Sequence, residues 1–93
     1  MKSERLKHFE GDIFERAYEL YKSSFPVEER RDDAEQRRVL ENDAYHFDII
    51  TENGEFIGIM LYWEVNSLIY LEHFAIRSDL RNKGFGTVAL DLL

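Results

Sequence analysis

Residues 68–86 read LIYLEHFAIRSDLRNKGFG, and the order of patterns in them decides the architecture. Leu68–Ile76 is mostly apolar, with the aromatic and β-branched content of a strand. A polar loop, 77–83, follows it. Gly84-Phe85-Gly86 then opens a helix that continues as TVALDLL. Two glycines bracketing one residue at a helix start let a ligand come close to the backbone. The first N–H groups of such a helix have no internal partners, and its dipole adds about half a positive charge. Arg81 and Lys83 add whole charges beside them. The combination suits a phosphate or pyrophosphate. On spacing alone, a glycine-containing loop with ordinary surface charges is the competing reading.

Working upstream, the period of the sequence is that of a sheet. Asn66-Ser67 is a tight turn, and Phe56–Val65 before it is apolar on both faces, as a central strand should be. Asn53-Gly54 is a strong hairpin signal, preceded by the strand Tyr45–Thr51. The expectation is a three-stranded antiparallel meander. Further upstream the period becomes helical. Ile13, Phe14, Ala17, Leu20 and Tyr21 share one face, and Asp12 with Glu15 has capping-box spacing, which predicts a helix over about 12–23. That helix should stop before Pro26. A second, over about 26–42, should begin with Pro26 in its first turn and Ser24 as its cap. Its apolar face is thin: Val27, Ala34, Val39 and Leu40. Residues 2–9 read as a short charged strand or lead-in. The fold class is therefore α+β, in one domain spanning 1–93.

Composition removes several classes of function. The chain has 93 residues, 44% hydrophobic and 33% charged, which suits one small globular domain and no more. No apolar run is long enough for a membrane helix, and the start, MKSERLKHFEGD, has no signal-like apolar region. There is no cysteine, so disulfides, thiolate metal sites and cysteine nucleophiles are excluded, and a cytoplasmic location is expected. Three scattered histidines, His8, His46 and His73, give no metal-ligand spacing, so no metal is expected. The net charge of −7 argues against nucleic acid as a partner. Its distribution is more telling. After residue 43 the only cations are Arg77, Arg81 and Lys83, all inside the loop 77–83.

Two nucleotide-binding patterns can be tested against that loop. The Walker pattern G-x-x-x-x-G-K-[ST] is absent. The dinucleotide pattern is formally present as Gly84-Phe85-Gly86-Thr87-Val88-Ala89. It should follow its strand almost directly within a βαβ unit, whereas here seven loop residues follow a meander strand, so it is rejected.

Ile76-Arg77-Ser78-Asp79-Leu80-Arg81-Asn82-Lys83-Gly84-Phe85-Gly86 resembles the central motif of the GNAT superfamily of N-acetyltransferases: a strand end, a polar loop, then [RQ]-x-x-G-x-[GA] entering a helix. The upstream order of strand, two helices and meander fits, and Phe25-Pro26 with Glu29-Arg30 resembles a segment found between the first two helices of that family. The resemblance implies transfer of acetyl from acetyl-CoA to a primary amine on a small molecule or peptide. It implies that backbone N–H groups of Arg81, Asn82, Lys83, Gly84, Phe85, Gly86 and Thr87 cradle the pyrophosphate of the cofactor. By the same resemblance, Phe74, Ala75 and Ile76 pair with the pantetheine arm and polarise the acetyl carbonyl.

Acetyl transfer also needs a base and an acid. Glu72 lies on the motif strand, on the face of Phe74 and Ile76 if the strand is regular, and is the candidate base, directly or through water. A plain edge glutamate is the competing reading, and His73 is read as structural. Members of the family continue past the motif helix, and the usual acid, a tyrosine, comes from that later part. The domain is therefore expected to be incomplete and inactive alone, with the free edge of strand 68–76 promoting self-association. A non-catalytic module that binds CoA or a protein partner is the alternative.

Overall fold

A computed structural model covers residues 1–93. It places the elements in the order β1 (Lys2–Leu6), α1 (Asp12–Ser24), α2 (Asp33–Leu40), β2 (Tyr45–Glu52), β3 (Glu55–Val65), β4 (Leu68–Ile76) and α3 (Phe85–Leu90), with 3-10 turns at Val27–Glu29 and Ser78–Leu80. The four strands form one antiparallel sheet in the order β1-β2-β3-β4. The meander is thus as expected, and β3 is central. Both hairpins turn through left-handed residues, Asn53 and Gly54 at the first and Asn66 and Ser67 at the second. That conformation matches the twist of the strands they join.

The sheet is covered unequally. On one face α1 and α2 close a twelve-residue core that includes Phe14, Ala17, Tyr21, Leu40, Tyr45, Phe47, Ile59 and Leu61. On the other face α3 covers a smaller cluster of Ile50, Ile57, Met60 and Ala89, with Phe74, Tyr62 and Phe85 packed at its margin. Two bulges disturb the alternation. Ile57 is the extra residue between Phe56 and Gly58, which pair with Thr51 and Ile50. Glu72 is the extra residue between Leu71 and His73, which pair with Tyr62 and Leu61.

The helical region differs from the sequence reading in three ways. Asp12 is the first residue of α1 and not its cap; Gly11 occupies the cap position at φ +102° and no side chain closes it. The second helix is half the expected length. Residues 27–29 form a 3-10 turn after Pro26, and α2 starts only at Asp33, where the Asp32 carboxylate accepts from the Glu35 N–H at 2.8 Å. An aspartate at that position is a better cap than the proline turn, whose flanking residues are extended. Ser24 is consequently in the last turn of α1, not the cap of α2. The inward face of α2 is also different: Gln36 is fully buried, donating to the Tyr45 hydroxyl at 2.8 Å, while Val27 is 70% exposed.

Candidate active site

The groove beside β4 is built from three elements that the sequence separates. Phe74, Ala75 and Ile76 end β4, Leu80, Arg81 and Asn82 form the loop, and Phe85 with Gly86 begin α3. Together with Ser24 and Phe25 they enclose about 400 Å³. Seven of the ten expected cofactor residues therefore line one cavity. Lys83, Gly84 and Thr87 flank it in the same loop and helix start without lining it. Ser24, Phe25 and Leu80 are lining residues that the motif did not reveal. The Phe25-Pro26 pair marked the right segment, but only the folding of α1 across the sheet brings it to β4.

The loop is held from within. The Arg77 guanidinium donates to the Asp79 carboxylate at 2.6 and 3.1 Å and to the Phe56 carbonyl at 2.9 Å, so its charge is already matched. That hydrogen bond and charge keep Asp79 below the usual carboxylate range. Arg81 donates through Nε to the Ile76 carbonyl at 2.9 Å, tying the loop back to the strand end. Neither Arg81 nor Lys83 has a carboxylate partner. Of the three loop cations, these two are the ones left for an anion. Gly84 adopts φ +81°, which side-chain-bearing residues rarely adopt, and an added Cβ there would meet only open space. Its freedom serves the turn into α3. No side chain caps α3, so nothing in the fold claims its leading N–H groups.

One further glycine positions the groove. Gly58 pairs with Ile76, and a Cβ on it would lie 2.6 Å from the Ala75 carbonyl oxygen. A side chain there would push the strand end out of place.

Glu72 is not where a regular strand would put it. The bulge turns it to the face of α1 and α2, away from Phe74 and toward Arg31, which donates from Nη2 at 2.8 Å. Burial pushes the Glu72 carboxyl up, but the Arg31 hydrogen bond and charge outweigh it, and the group sits below its ordinary range. His73 is on the same face. Its Nε2 is 3.0 Å from the Glu29 carbonyl, and its ring stands edge-on to Tyr21 and Phe25. A carbonyl can only accept, so Nε2 carries the proton and Nδ1 is buried without a partner.

A strand ending at a glycine loop and helix, on a meander flanked by a helix pair, defines an acyl-transferase type of fold. The chain belongs to the acetyltransferase (GNAT) family, whose pattern it matches over residues 14–93. Among solved structures it is similar to a Bacteroides thetaiotaomicron protein described as an acetyltransferase of the GNAT family, with a TM-score of 0.90 and 29% identity. That match covers 98% of this chain and 52% of the other. A ribosomal-protein-alanine N-acetyltransferase from Brucella melitensis biovar Abortus shares the fold at a TM-score of 0.52 and 19% identity, covering 86% of this chain and 57% of that one. The chain thus spans little more than half the length of the structures it resembles. No curated protein matches it. No helix is long and apolar enough to cross a membrane.

Proposed function

We propose that this chain is the cofactor-binding part of a cytoplasmic N-acetyltransferase, which transfers acetyl from acetyl-CoA to a primary amine. The observation that carries the reading is the single groove uniting Phe74–Ile76 with Arg81, Asn82 and Gly86. Its residues fit the cofactor. Arg81 and Lys83 are the unmatched cations of the loop, Gly84 leaves open space at the backbone, and the Ser24 hydroxyl in the groove wall is buried without a hydrogen-bond partner. Arg81, Lys83 and the N–H groups of 81–87 would hold the diphosphate. The unpaired outer edge of β4 at Phe74–Ile76 would hold the pantetheine amides, as an extended ligand adds to a sheet edge. Acetyl-CoA, when bound, supplies an acyl group activated as a thioester. Glu72 would receive the proton of the acceptor amine, directly or through water, after release from Arg31.

Calorimetry with CoA tests the groove. Gly84→Asp puts a carboxylate where N–H groups must face phosphate, and binding should be lost; Arg81→Ala should weaken it about tenfold. Unchanged affinity in both would place the anion site elsewhere. The ion-paired state of Glu72 favours a second reading, a CoA-binding module without turnover. A thiol-release assay with a panel of polyamines and peptides decides between them. For the 93-residue chain alone we propose no turnover.

The edge of β4 also supports self-association of this chain. Leu68, Ile69, Tyr70 and Leu71 are all exposed beside a strand edge that nothing pairs. Covering about 300 Å² of apolar surface is worth about 7 kcal/mol before association costs. Light scattering behind a sizing column should show a dimer or larger species, and an 11 kDa monomer at all micromolar concentrations would refute it.

A further inference from the structure

Arg31 occupies a site with the chemistry of a cation receptor. Its guanidinium carbon lies 5.3 Å from the centroid of the Tyr45 ring and 6.0 Å from that of Trp63, both within the range of cation–π attraction. The Glu72 carboxylate accepts from its Nη2 at 2.8 Å, and the Arg31 side chain is only 18% exposed. Tyr45 is 1% exposed and its hydroxyl is fixed by Gln36, Trp63 lies beside it in the sheet, and the β4 bulge sets the face to which Glu72 points. Arg31 belongs to the connection between the 3-10 turn and α2, secured there by its own N–H donating to the Tyr21 hydroxyl at 2.9 Å.

We propose that the cage of Tyr45, Trp63 and Glu72 is the subsite for a cationic group of the acceptor, and that Arg31 fills it in the resting chain. The inference rests on the acetyltransferase reading for the word acceptor, but the cage itself does not depend on CoA. Two aromatic faces and a carboxylate recognise an alkylammonium or alkylguanidinium, and select against neutral or anionic acceptors. While Arg31 is in place, an incoming cation must displace it, so the apparent affinity is reduced by the fraction of chains in which the cage is open. Withdrawal of Arg31 also frees Glu72. One movement of the 30–32 connection therefore opens the cation site and passes the Glu72 carboxylate from Arg31 to the cation of the acceptor.

Trp63 is the only tryptophan, so its fluorescence reads the cage directly. The probe is methylguanidinium at low millimolar concentration, with methylammonium as a second cation and acetamide as a neutral control. Arg31→Ala should give a saturable Trp63 response to both cations and none to acetamide. The unaltered protein and Arg31→Lys should respond at least about tenfold more weakly, because a tethered cation competes. Adding Glu72→Gln to Arg31→Ala should weaken the response about tenfold or more. If Arg31→Ala does not fold by itself, recovery of its circular dichroism by methylguanidinium is the same result, and failure to recover counts against the cage. Arg31 would be a structural clamp only if Arg31→Ala shows no saturable response, or if the unaltered protein responds equally. Loss of CoA binding would leave these outcomes unmoved, so the two readings fail separately.

Discussion

The two faces of the sheet carry opposite burdens. Against α1 and α2 lie large, fully enclosed side chains such as Tyr21, Tyr45, Phe47 and Leu61, with aromatic rings in contact from Phe9 through Phe14, Tyr18 and Tyr21 to Phe25. Against the short α3 lies a smaller enclosed cluster of Ile50, Ile57, Met60 and Ala89, and Val88 and Leu90 of α3 are themselves exposed. Stability in so small a domain has to come from the first face. The groove is built at the margin of the second, where the backbone is irregular and incompletely covered. The edge of β4 separates the two, and its bulge sends Glu72 to the stable face while Phe74 stays at the groove.

Core truncations should break this asymmetry most visibly. Phe47→Ala, at a fully buried position, should cost about 3–5 kcal/mol, a large part of the 5–15 kcal/mol typical of a domain, and shift the urea midpoint furthest. Met60→Ala on the α3 face should cost about 2–3 kcal/mol and leave a cooperative urea transition. Equal losses in the two variants would mean that the faces share the burden. Gly58→Ala should cost about 1–3 kcal/mol, since its Cβ would lie 2.6 Å from the Ala75 backbone carbonyl and only a displacement of the strand end relieves that clash. Its expected signature is different: a loss of CoA affinity out of proportion to the loss of stability, because the wall of the groove moves.

The smallest effect separates the faces by sign. On the α3 face Asp48 is 5% exposed, with one oxygen accepting from Tyr62 at 3.0 Å and the other without a partner. Burial raises its carboxyl above the ordinary 3.8, more than Tyr62, His46 and Arg5 lower it. The folded state then holds the proton more tightly than the unfolded state, so this group lowers stability as pH rises through its elevated folded value. Glu72 on the other face is depressed below 4.5. Its contribution is present above the unfolded value and lost as pH falls through the folded one. Urea denaturation from pH 3 to 7 should therefore show Asp48→Asn at least as stable as the parent at neutral pH and flatter in the mildly acidic range. Glu72→Gln should be less stable at neutral pH, with the difference vanishing toward pH 3. The opposite order would mean that the two carboxylates have been assigned the wrong environments.

Local signals determined much of this protein. The hairpins at Asn53-Gly54 and Asn66-Ser67, the central position of β3, the start of α1 to within a residue and the loop from Arg77 to Gly86 all follow from turn chemistry, period and charge placement, which act over a few residues. Those same local signals carried the family motif. What they could not supply was decided by packing. Pro26 is compatible with a helix start, but the capping aspartate at 32 prevails and leaves residues 30–32 extended enough for Arg31 to reach Tyr45 and Trp63. A regular alternation would place Glu72 with Phe74; the bulge that reverses it depends on how β3 and β4 register over 58–76, a cross-strand property with no mark in either strand alone. Ser24 joins the groove only because α1 crosses the sheet toward the end of β4. Turn type and periodicity are set by neighbours in the chain, whereas register and side-chain partnership are set by neighbours in space, and the site of this protein depends on the second kind.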